Sequence, residues 1–205
     1  MSESPPQESS DLLTTEVPSE SAPPAKPPKP RRRALIEWTA IVVIAVLVSF
    51  LIRTYAFQTF YIPSGSMEPT LQIGDRLIVN KLAVTFGTIN VGDIVVFKAP
   101  PAEHCDPSDP VTDLVKRVIG VPGDSLRSQG NTIYVNNKPL DETWTHTEPL
   151  GGAITPITLK ANQYFMMGDN HSDSCDSRMW GTVPRSDIIG KAFVRIWPFS
   201  RIGFL

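Results

Sequence analysis

A continuous apolar stretch near the N-terminus constrains the fold of this chain more than any other feature. It runs from Ala34 to Ile52, nineteen residues in which Glu37, near the start, is the one acidic side chain. At about 1.5 Å per residue, a helix of this length spans about 28 Å, close to the thickness of a bilayer's hydrocarbon core. The hydrophobicity is continuous rather than periodic, which argues against a buried helix of a soluble protein. The stretch therefore predicts a transmembrane helix over residues 34–53.

The charges on either side of this helix indicate its orientation. Three arginines, residues 31–33, precede it, and Arg53 follows it. Because basic residues near a span tend to stay in the cytoplasm, we predict a single-pass protein of the inner (plasma) membrane, with a cytoplasmic N-terminus and the rest outside the cytoplasm. A cleavable signal peptide starts in a similar way. Its apolar core is usually shorter, however, and residues 53–58 offer no small–x–small cleavage site.

Composition separates a tail from a domain. Residues 1–30 hold eight prolines and six serines and almost no large apolar side chains. Such a segment cannot bury enough surface to offset its chain entropy, so residues 1–33 are predicted to form a disordered cytoplasmic tail. The remaining residues 54–205 suffice for one domain. The net charge of −2 gives no basic field for nucleic acid, so nucleic-acid binding is not expected.

Residues 54–205 have the pattern of an antiparallel β domain. Short runs rich in β-branched residues alternate with glycine, proline or asparagine, and no helical period separates them. The runs are Arg76–Asn80, Ile94–Phe97, Thr132–Val135, Ile188–Ile189 and Ala192–Trp197. Asn136 and Asn137 predict a turn, because asparagine tolerates positive φ. Residues 99–110, with four prolines, are expected to form an exposed loop.

Two serines separated by a glycine, Ser64 and Ser66, are the first candidates for chemistry. Acyl transfer needs a nucleophile and hydrogen-bond donors aimed at the developing oxyanion. In such a turn Ser66 could attack, while its own N–H and the Ser64 hydroxyl face the oxyanion. Taken alone, the tripeptide more often marks a hydrophilic turn in which the second serine caps a short helix.

Lys116 lies in a run, residues 114–119, that predicts a strand. Alternate residues of a strand face one side, so Lys116 shares a face with Leu114 and Val118. A lysine desolvated by apolar neighbours has a lowered pKa and can serve as a neutral base. An exposed lysine on an edge strand fits the pattern as well. Arg117 is excluded as a base, because guanidinium does not deprotonate at usable pH.

A third segment, residues 166–178, is dense in short polar side chains and suits a loop that orients buried polar groups. Asp176 and Arg178 are suited to a salt bridge that fixes this loop. His171 leaves three interpretations open: a Ser-His-Asp triad, a metal ligand or a surface position. His104 and His146 have the context of exposed loops.

The two cysteines, Cys105 and Cys175, lack the number and spacing of a zinc site. Both lie in the part predicted to be outside the cytoplasm, where a disulfide can persist. The sequence leaves open whether they form a disulfide, which would brace the loop around Cys175, or are two independent small side chains.

Together these segments closely resemble the bacterial type I signal peptidases (leader peptidases). These are membrane-bound serine–lysine peptidases that remove signal peptides from exported proteins. The resemblance covers residues 52–197. Four sequence motifs follow the predicted transmembrane helix, in the same order as in the family. They are residues 62–71 (IPSGSMEPTL), 92–97 (GDIVVF) and 115–124 (VKRVIGVPGD), then Gly168-Asp169-Asn170 through Ser174, Asp176, Ser177 and Arg178. Each string is only suggestive, whereas all of them in this order are very specific.

The resemblance implies a role for each matching residue. Ser66 would be the nucleophile, Lys116 the general base and Ser64 the side-chain half of the oxyanion hole. Ser174 would orient the lysine, and Asp176 and Arg178 would form a structural ion pair. The implied fold is a largely antiparallel β domain, and no metal or cofactor is implied.

The resemblance also implies cleavage after small residues, in an Ala-x-Ala-like pattern, through an acyl-enzyme. Residues that match the lining of the family's shallow substrate pockets are Phe60, Ile62, Met67, Leu114 and Val115. Apolar residues near the anchor and the C-terminus could rest on the lipid interface or pack in the core. They are Phe57, Phe60, Trp197, Phe199 and Phe204.

Three other functions were weighed against this one. A self-cleaving repressor on the same fold needs a DNA-binding domain, where this chain has a predicted span and tail. A peptidase specialised for one pilus or conjugation substrate is harder to separate by sequence. A membrane-tethered domain that binds peptides without cutting them is opposed by the presence of both Ser66 and Lys116. The substrate repertoire and the oligomeric state do not follow from the sequence.

Overall fold

The computed structural model describes residues 31–103, 105, 112–145 and 149–205, without the side chains of Arg31 and Arg53. Of the tail predicted to be disordered over residues 1–33, residues 1–30 lie outside the described residues. Residues 31–33 are helical, so the prediction is wrong for those three. The predicted exposure of His104 and His146 also lies outside the described residues, as does half of the predicted loop over residues 99–110, namely residue 104 and residues 106–110.

The first described element is a helix, α1 (Arg31–Tyr55), of 25 residues. Within it, Arg32–Ile52 is long and apolar enough to cross a membrane, with a mean hydropathy of 2.6 and none of that segment buried. Both of its threonine hydroxyls bond within the helix: Thr39 donates to the Leu35 carbonyl and Thr54 to the Phe50 carbonyl, both at 2.8 Å. The helix extends beyond the predicted span of 34–53, by residues 31–33 at its start and residues 54 and 55 at its end, because a helix need not end where its apolar segment ends.

The rest of the described chain is mainly β-structure. Its strands are β1 (Phe57–Tyr61), β2 (Arg76–Asn80), β3 (Ile94–Lys98), β4 (Asp113–Gly120), β5 (Ser125–Gln129), β6 (Thr132–Val135), β7 (Lys138–Pro139), β8 (Ile157–Thr158), β9 (Gln163–Met167), β10 (Val183–Pro184), β11 (Ile188–Trp197) and β12 (Gly203–Phe204). Two helices of one turn interrupt them, α2 (Leu82–Thr85) and α3 (Ser177–Trp180). Single 3₁₀ turns lie at His171–Asp173, Arg185–Asp187 and Phe199–Arg201.

Two antiparallel sheets organise these strands. The larger has the order β1-β2-β11-β3-β4-β9-β10, with β12 paired to β11, and the smaller has the order β7-β6-β5-β8. This confirms the predicted antiparallel β class. The predicted runs 188–189 and 192–197 are one strand, β11, whose register shifts beside β2 and β3. Asn136 and Asn137 both have positive φ, as the predicted turn between β6 and β7 requires.

Strand β3 shows how the core positions the larger sheet. Val95 and Phe97 pack into one hydrophobic cluster, together with Val118 and Trp180. The alternate residues Ile94 and Val96 pack into a second cluster on the opposite face, and a third cluster joins the end of β4 to the smaller sheet. A strand with apolar residues on both faces is buried on both sides. The neighbouring strand β4, which carries Lys116, pairs with β3 on one side and with β9 on the other, so it is an interior strand of the sheet.

Candidate active site

The turn that carries Ser64 and Ser66 connects β1 to β2. Hydrogen bonds from Ile62 N to the Asp75 carbonyl (3.0 Å) and from Gly74 N to the Ile62 carbonyl (2.9 Å) close its base. Met67 and Leu71, which are almost fully buried, anchor it in the core. Residues 65–70 form turns rather than a helix, so Ser66 does not cap a helix here.

The two hydroxyls of this turn lie side by side. Ser64 Oγ and Ser66 Oγ are 3.4 Å apart and share one hydrogen bond, in which either oxygen can be the donor. Ser64 is exposed and Ser66 is half-buried. A half-buried hydroxyl that is held by a rigid turn beside a second hydroxyl is suitably placed for attack on a bound carbonyl group.

Lys116 is a buried lysine on an interior strand. It is 3% exposed, and its face of β4 includes Val118 and the paired residue Val95 of β3. The exposed edge-strand alternative is therefore wrong. Burial lowers the pKa of Lys116 from its ordinary 10.5 to about 8, while the nearby Asp176 carboxylate opposes that shift. Nζ donates a hydrogen bond of 2.9 Å to Ser174 Oγ.

Gly168 brings the two candidate residues into one site. A Cβ at this position would collide with both Ser174 Oγ and the Ser66 carbonyl oxygen, so only glycine fits between them. Two residues on, Asn170 N donates to the Ser66 carbonyl at 3.1 Å. Among the described residues, no direct hydrogen bond joins Lys116 Nζ to Ser66 Oγ. Lys116 Nζ binds Ser174 Oγ, and both Ser174 and the Ser66 carbonyl lie against Gly168.

An ion pair fixes the loop that supplies Ser174. The Asp176 carboxylate is fully buried and lies 2.7 Å from Arg178 Nη2. It also accepts a hydrogen bond from Gly168 N at 3.2 Å. Arg178 donates in turn to the carbonyls of His171 (2.8 Å) and Ser174 (3.2 Å). The loop from residue 168 to residue 178 is thus held by one buried carboxylate and one guanidinium.

A second buried ion pair, which our sequence reasoning missed, lies beside the first. Arg117 Nε and Nη2 donate to the two carboxylate oxygens of Asp169 at 2.8 and 2.6 Å. Nη1 donates to the Gly92 carbonyl at 2.7 Å, and the guanidinium lies 4.7 Å from the centre of the Trp144 ring. Thr70 Oγ1 donates to Asp169 at 2.5 Å. The Arg117–Asp169 pair thereby links β4, which carries Lys116, to the loop that binds the Ser66 backbone. Thr70 links Asp169 to the end of the turn that carries Ser64 and Ser66.

His171 is buried, at 4% exposed, which removes the surface interpretation. Its Nε2 atom lies 3.3 Å from Glu142 Oε1. Within the part of the chain that the structure describes, its ring has no hydrogen bond to Ser66. The geometry therefore gives no support to a Ser-His-Asp triad.

A cleft of about 290 Å³ opens beside the serine turn. It is lined by Ile62, Pro63, Ser64, Ser66, Met67, Glu103, Cys105, Asp113, Leu114 and Val115. Four of the five predicted pocket residues are in this lining. Phe60 is not in this lining; it packs against the core cluster that contains its cross-strand partner Leu77.

Cys105 and Cys175 form a disulfide, with Cα atoms 6.2 Å apart. It resolves the question that the sequence left open and ties the rim of the cleft to the residue after Ser174. Glu103 lies close enough to both sulfurs for the three residues to resemble a metal-ligand cluster. Disulfide sulfurs are not thiolates, so this cluster lacks the ligand chemistry of a zinc site.

Known proteins match the chain over most of its length. The family described as signal peptidase, peptidase S26, matches residues 35–197. A probable signal peptidase I-2 of Synechocystis sp. is 42% identical over 181 residues, covering 88% of this chain and 81% of that protein. The signal peptidase I of Leptolyngbya laminosa is 37% identical, covering 93% and 95%. The signal peptidase I of Mycobacterium tuberculosis is 33% identical, covering 86% and 77%.

The family match extends over more than three quarters of the chain and includes the serine turn, the lysine strand and the 168–178 loop. Two relatives that are 42% and 37% identical cover 88% and 93% of the chain. The chain therefore belongs to the signal peptidase family, peptidase S26.

Proposed function

We propose that this protein is a membrane-bound signal peptidase I that cleaves signal peptides from exported preproteins with a Ser66–Lys116 dyad. One observation carries the proposal: a buried lysine of lowered pKa lies at the loop that also binds the Ser66 backbone, beside an apolar cleft. No metal or cofactor enters the proposed reaction.

In the first step Ser66 Oγ attacks the carbonyl carbon of the scissile bond. Neutral Lys116 takes the hydroxyl proton, because a neutral amine has one lone pair in addition to the N–H that it donates to Ser174. The direct hydrogen bond between Nζ and Oγ forms when substrate is bound, since catalytic hydrogen bonds are often longer in the free enzyme. The Ser66 N–H and the Ser64 hydroxyl stabilise the oxyanion.

In the second step the same lysine transfers the proton to the leaving amine. The bond to the mature protein breaks and an ester on Ser66 remains. Lys116, neutral again, then removes a proton from a water molecule that attacks the ester, and it returns this proton to Ser66 Oγ as the ester bond breaks. Ser174 keeps Nζ in place throughout, and the Asp176–Arg178 pair keeps Ser174 in place.

The cleft selects substrates that have small side chains before the cleavage site. Ile62, Met67, Leu114 and Val115 make its walls apolar, and its volume of about 290 Å³ must hold several residues of an extended peptide. A peptide in this position adds main-chain hydrogen bonds to a strand edge. Alanine fits at the positions before the cut, and larger side chains are rejected by the core-packed walls.

The apolar helix and the family make this a membrane-associated protein. We further propose that α1 crosses the membrane once, with its N-terminal end in the cytoplasm and residues 54–205 outside it as the peptidase domain. The arginines before the span support this orientation. Substrates whose signal peptides share the same bilayer then present their cleavage sites to the domain.

Cleavage of a model preprotein tests the proposal. The detergent-solubilised full chain is expected to release the mature protein after an Ala-x-Ala sequence, with both the signal peptide and the product identified by mass spectrometry. Changing the alanine before the cut to leucine should lower kcat/KM about 100-fold or more, because the core-packed cleft cannot enlarge.

The matched controls are two serine substitutions. Ser66→Ala should give no product, whereas Ser186→Ala, at an exposed serine in the turn before β11, should cleave at the parental rate. Turnover by the Ser66→Ala protein would show that another residue is the nucleophile.

A further inference from the structure

A second cavity, of about 370 Å³, is formed by the same two segments that hold the candidate dyad. Its lining includes Glu68 and Gln72 from the end of the turn that carries Ser66. It also includes Asn170 and Asp173 from the loop that supplies the partner of the lysine. The cleft described above is lined by other residues, so the second cavity is a separate concave surface.

The second cavity adjoins the backbone of the nucleophile. Asn170 Nδ2 donates to the Gly65 carbonyl at 3.3 Å, and Asn170 N donates to the Ser66 carbonyl at 3.1 Å. The Glu68 carboxyl group also lies against Gly65, with its carbon 3.5 Å from where a Cβ of that residue would stand. Two of the lining residues are therefore in direct contact with the Gly65–Ser66 backbone.

The second cavity carries negative charge. Glu68 and Asp173, which directly precedes Ser174, both line it, and neither belongs to an ion pair among the described residues. A third acid of the lining, Asp169, is neutralised by Arg117 at 2.6 Å. None of the described lining residues is basic. A side chain that enters this cavity is therefore favoured when it is positive and disfavoured when it is negative.

An extended substrate that passes Ser66 reaches the second cavity. In the Ala-x-Ala-like pattern, the residues one and three before the cut face the walls of the cleft. Alternate residues of an extended chain face the same side, so the second residue after the cut faces the protein again. Its Cα lies about 5–7 Å beyond the scissile carbonyl group. Glu68 and Asn170 contact the backbone at the nucleophile, so the second cavity begins within that distance.

We propose that the second cavity receives the second residue of the mature protein, and that Glu68 and Asp173 make cleavage faster when this residue is basic than when it is acidic. The inference rests on the proposed function, to which it adds a determinant of substrate choice after the cut. The cleft selects by size, whereas the second cavity selects by charge. Glu68 and Asp173 take no part in the proton transfers of the proposed mechanism.

Three model preproteins test this inference. They are identical except that the second residue of the mature part is lysine, glutamine or glutamate. We expect kcat/KM of the full-length chain, measured in neutral detergent at about 50 mM salt, to be about tenfold or more higher for the lysine substrate than for the glutamate substrate, with glutamine between them. At about 0.5 M salt this ratio should shrink, because salt screens exposed charges.

A double variant identifies the charges that are responsible. Glu68→Gln combined with Asp173→Asn should lower the lysine-to-glutamate ratio to about twofold or less. The ratio within one variant is the readout, because a change beside the dyad can alter kcat/KM for all three substrates together. Burial lowers the pKa of Lys116, and the Asp173 carboxylate is one of the charges that oppose this shift. Such a general effect cancels in the ratio.

The matched control is Asp187→Asn, in the turn before β11. It lies about 25 Å along that strand from Arg195, which binds the Thr70 carbonyl next to the second cavity, so it should keep the parental ratio. Equal kcat/KM for the lysine and glutamate substrates in the parent, or a parental ratio in the double variant, would overturn the inference and leave the peptidase activity standing. Failure to cleave any of the three substrates would overturn the proposed function, and this inference with it.

Discussion

Replacing Lys116 by methionine is expected to abolish cleavage of a signal-peptide substrate and, at the same time, to stabilise the fold at neutral pH. Methionine fills a similar volume without the ammonium, so it removes the base. A base that acts as a unit with its nucleophile contributes about 10⁴-fold or more to kcat. Lys116→Arg should be equally inactive, because a guanidinium remains protonated.

The stability gain follows from the lowered pKa of Lys116, about 8 in the folded chain against 10.5 for an ordinary lysine. Between these values the unfolded chain binds a proton that the folded chain does not, so the free energy of unfolding of the parent rises with pH in this window. Below pH 8 both states are protonated and the folded state carries the full cost of burying the charge, about 3 kcal/mol. Lys116→Met has no such cost.

Urea unfolding of the detergent-solubilised chain at pH 7 and at pH 10.5 measures this difference. Lys116→Met should be more stable than the parent at pH 7, and the gap should narrow as the pH rises. Lys191 on β11, which is half-exposed and pairs with Asp93 at 2.6 Å, gives the matched control. Lys191→Met should show no stabilisation and near-normal activity. A Lys116→Met protein that is less stable than the parent at pH 7 would mean that Lys116 serves the fold as an ion-pair partner.

Breaking the Arg117–Asp169 pair is expected to have the largest effect on stability. Arg117→Met leaves the Asp169 carboxylate, 1% exposed, without its bidentate partner. An uncompensated buried charge destabilises a fold by about 3–5 kcal/mol. Because Asp169 lies between Gly168 and Asn170, which contact the Ser66 backbone, we expect activity to fall as well.

A double variant separates the lost charge partner from lost packing. Arg117→Met combined with Asp169→Leu removes both charges, and replacing both partners of a buried pair by apolar residues is often close to neutral. The double variant should therefore be at least about 2 kcal/mol more stable than Arg117→Met alone in the same urea titration. If it is no more stable than the single variant, the contribution of Arg117 comes from its contacts with Trp144 and the Gly92 carbonyl instead.

The positions of several strands along the chain could be predicted from local sequence patterns, but the order of the strands in the sheet could not. The runs 76–80 and 132–135 are strands at the predicted bounds because alternation and flanking turns act within a few residues. The placement of β11 between β2 and β3 depends on pairings more than ninety residues apart. Helix α2, with four residues, is shorter than the period by which a helix can be recognised.

Those residues of the site that lie within a short sequence motif could be predicted from the sequence. The motifs singled out Ser66, Lys116 and Ser174, and the structure places them around Gly168. The contact of Arg117 with Asp169 arises only when β4 pairs with β9, so neither string alone indicated it. An arginine within a run of β-branched residues was the available signal, because a guanidinium on an interior strand needs a carboxylate partner. Phe60 was assigned to the pocket by resemblance alone, and it is not in the lining of the cleft.

The pH dependence of kcat/KM tests the central claim most directly, because it reports the ionisation of the catalytic base in the free enzyme. With a peptide substrate that has no ionisable group near the cleavage site, kcat/KM should rise about tenfold per pH unit on the acidic side. It should reach half its maximum near pH 8, the pKa of Lys116, and stay level above about pH 9. A profile that reaches half its maximum near pH 6.5, the ordinary pKa of histidine, or that is already level at that pH, would contradict a lysine base.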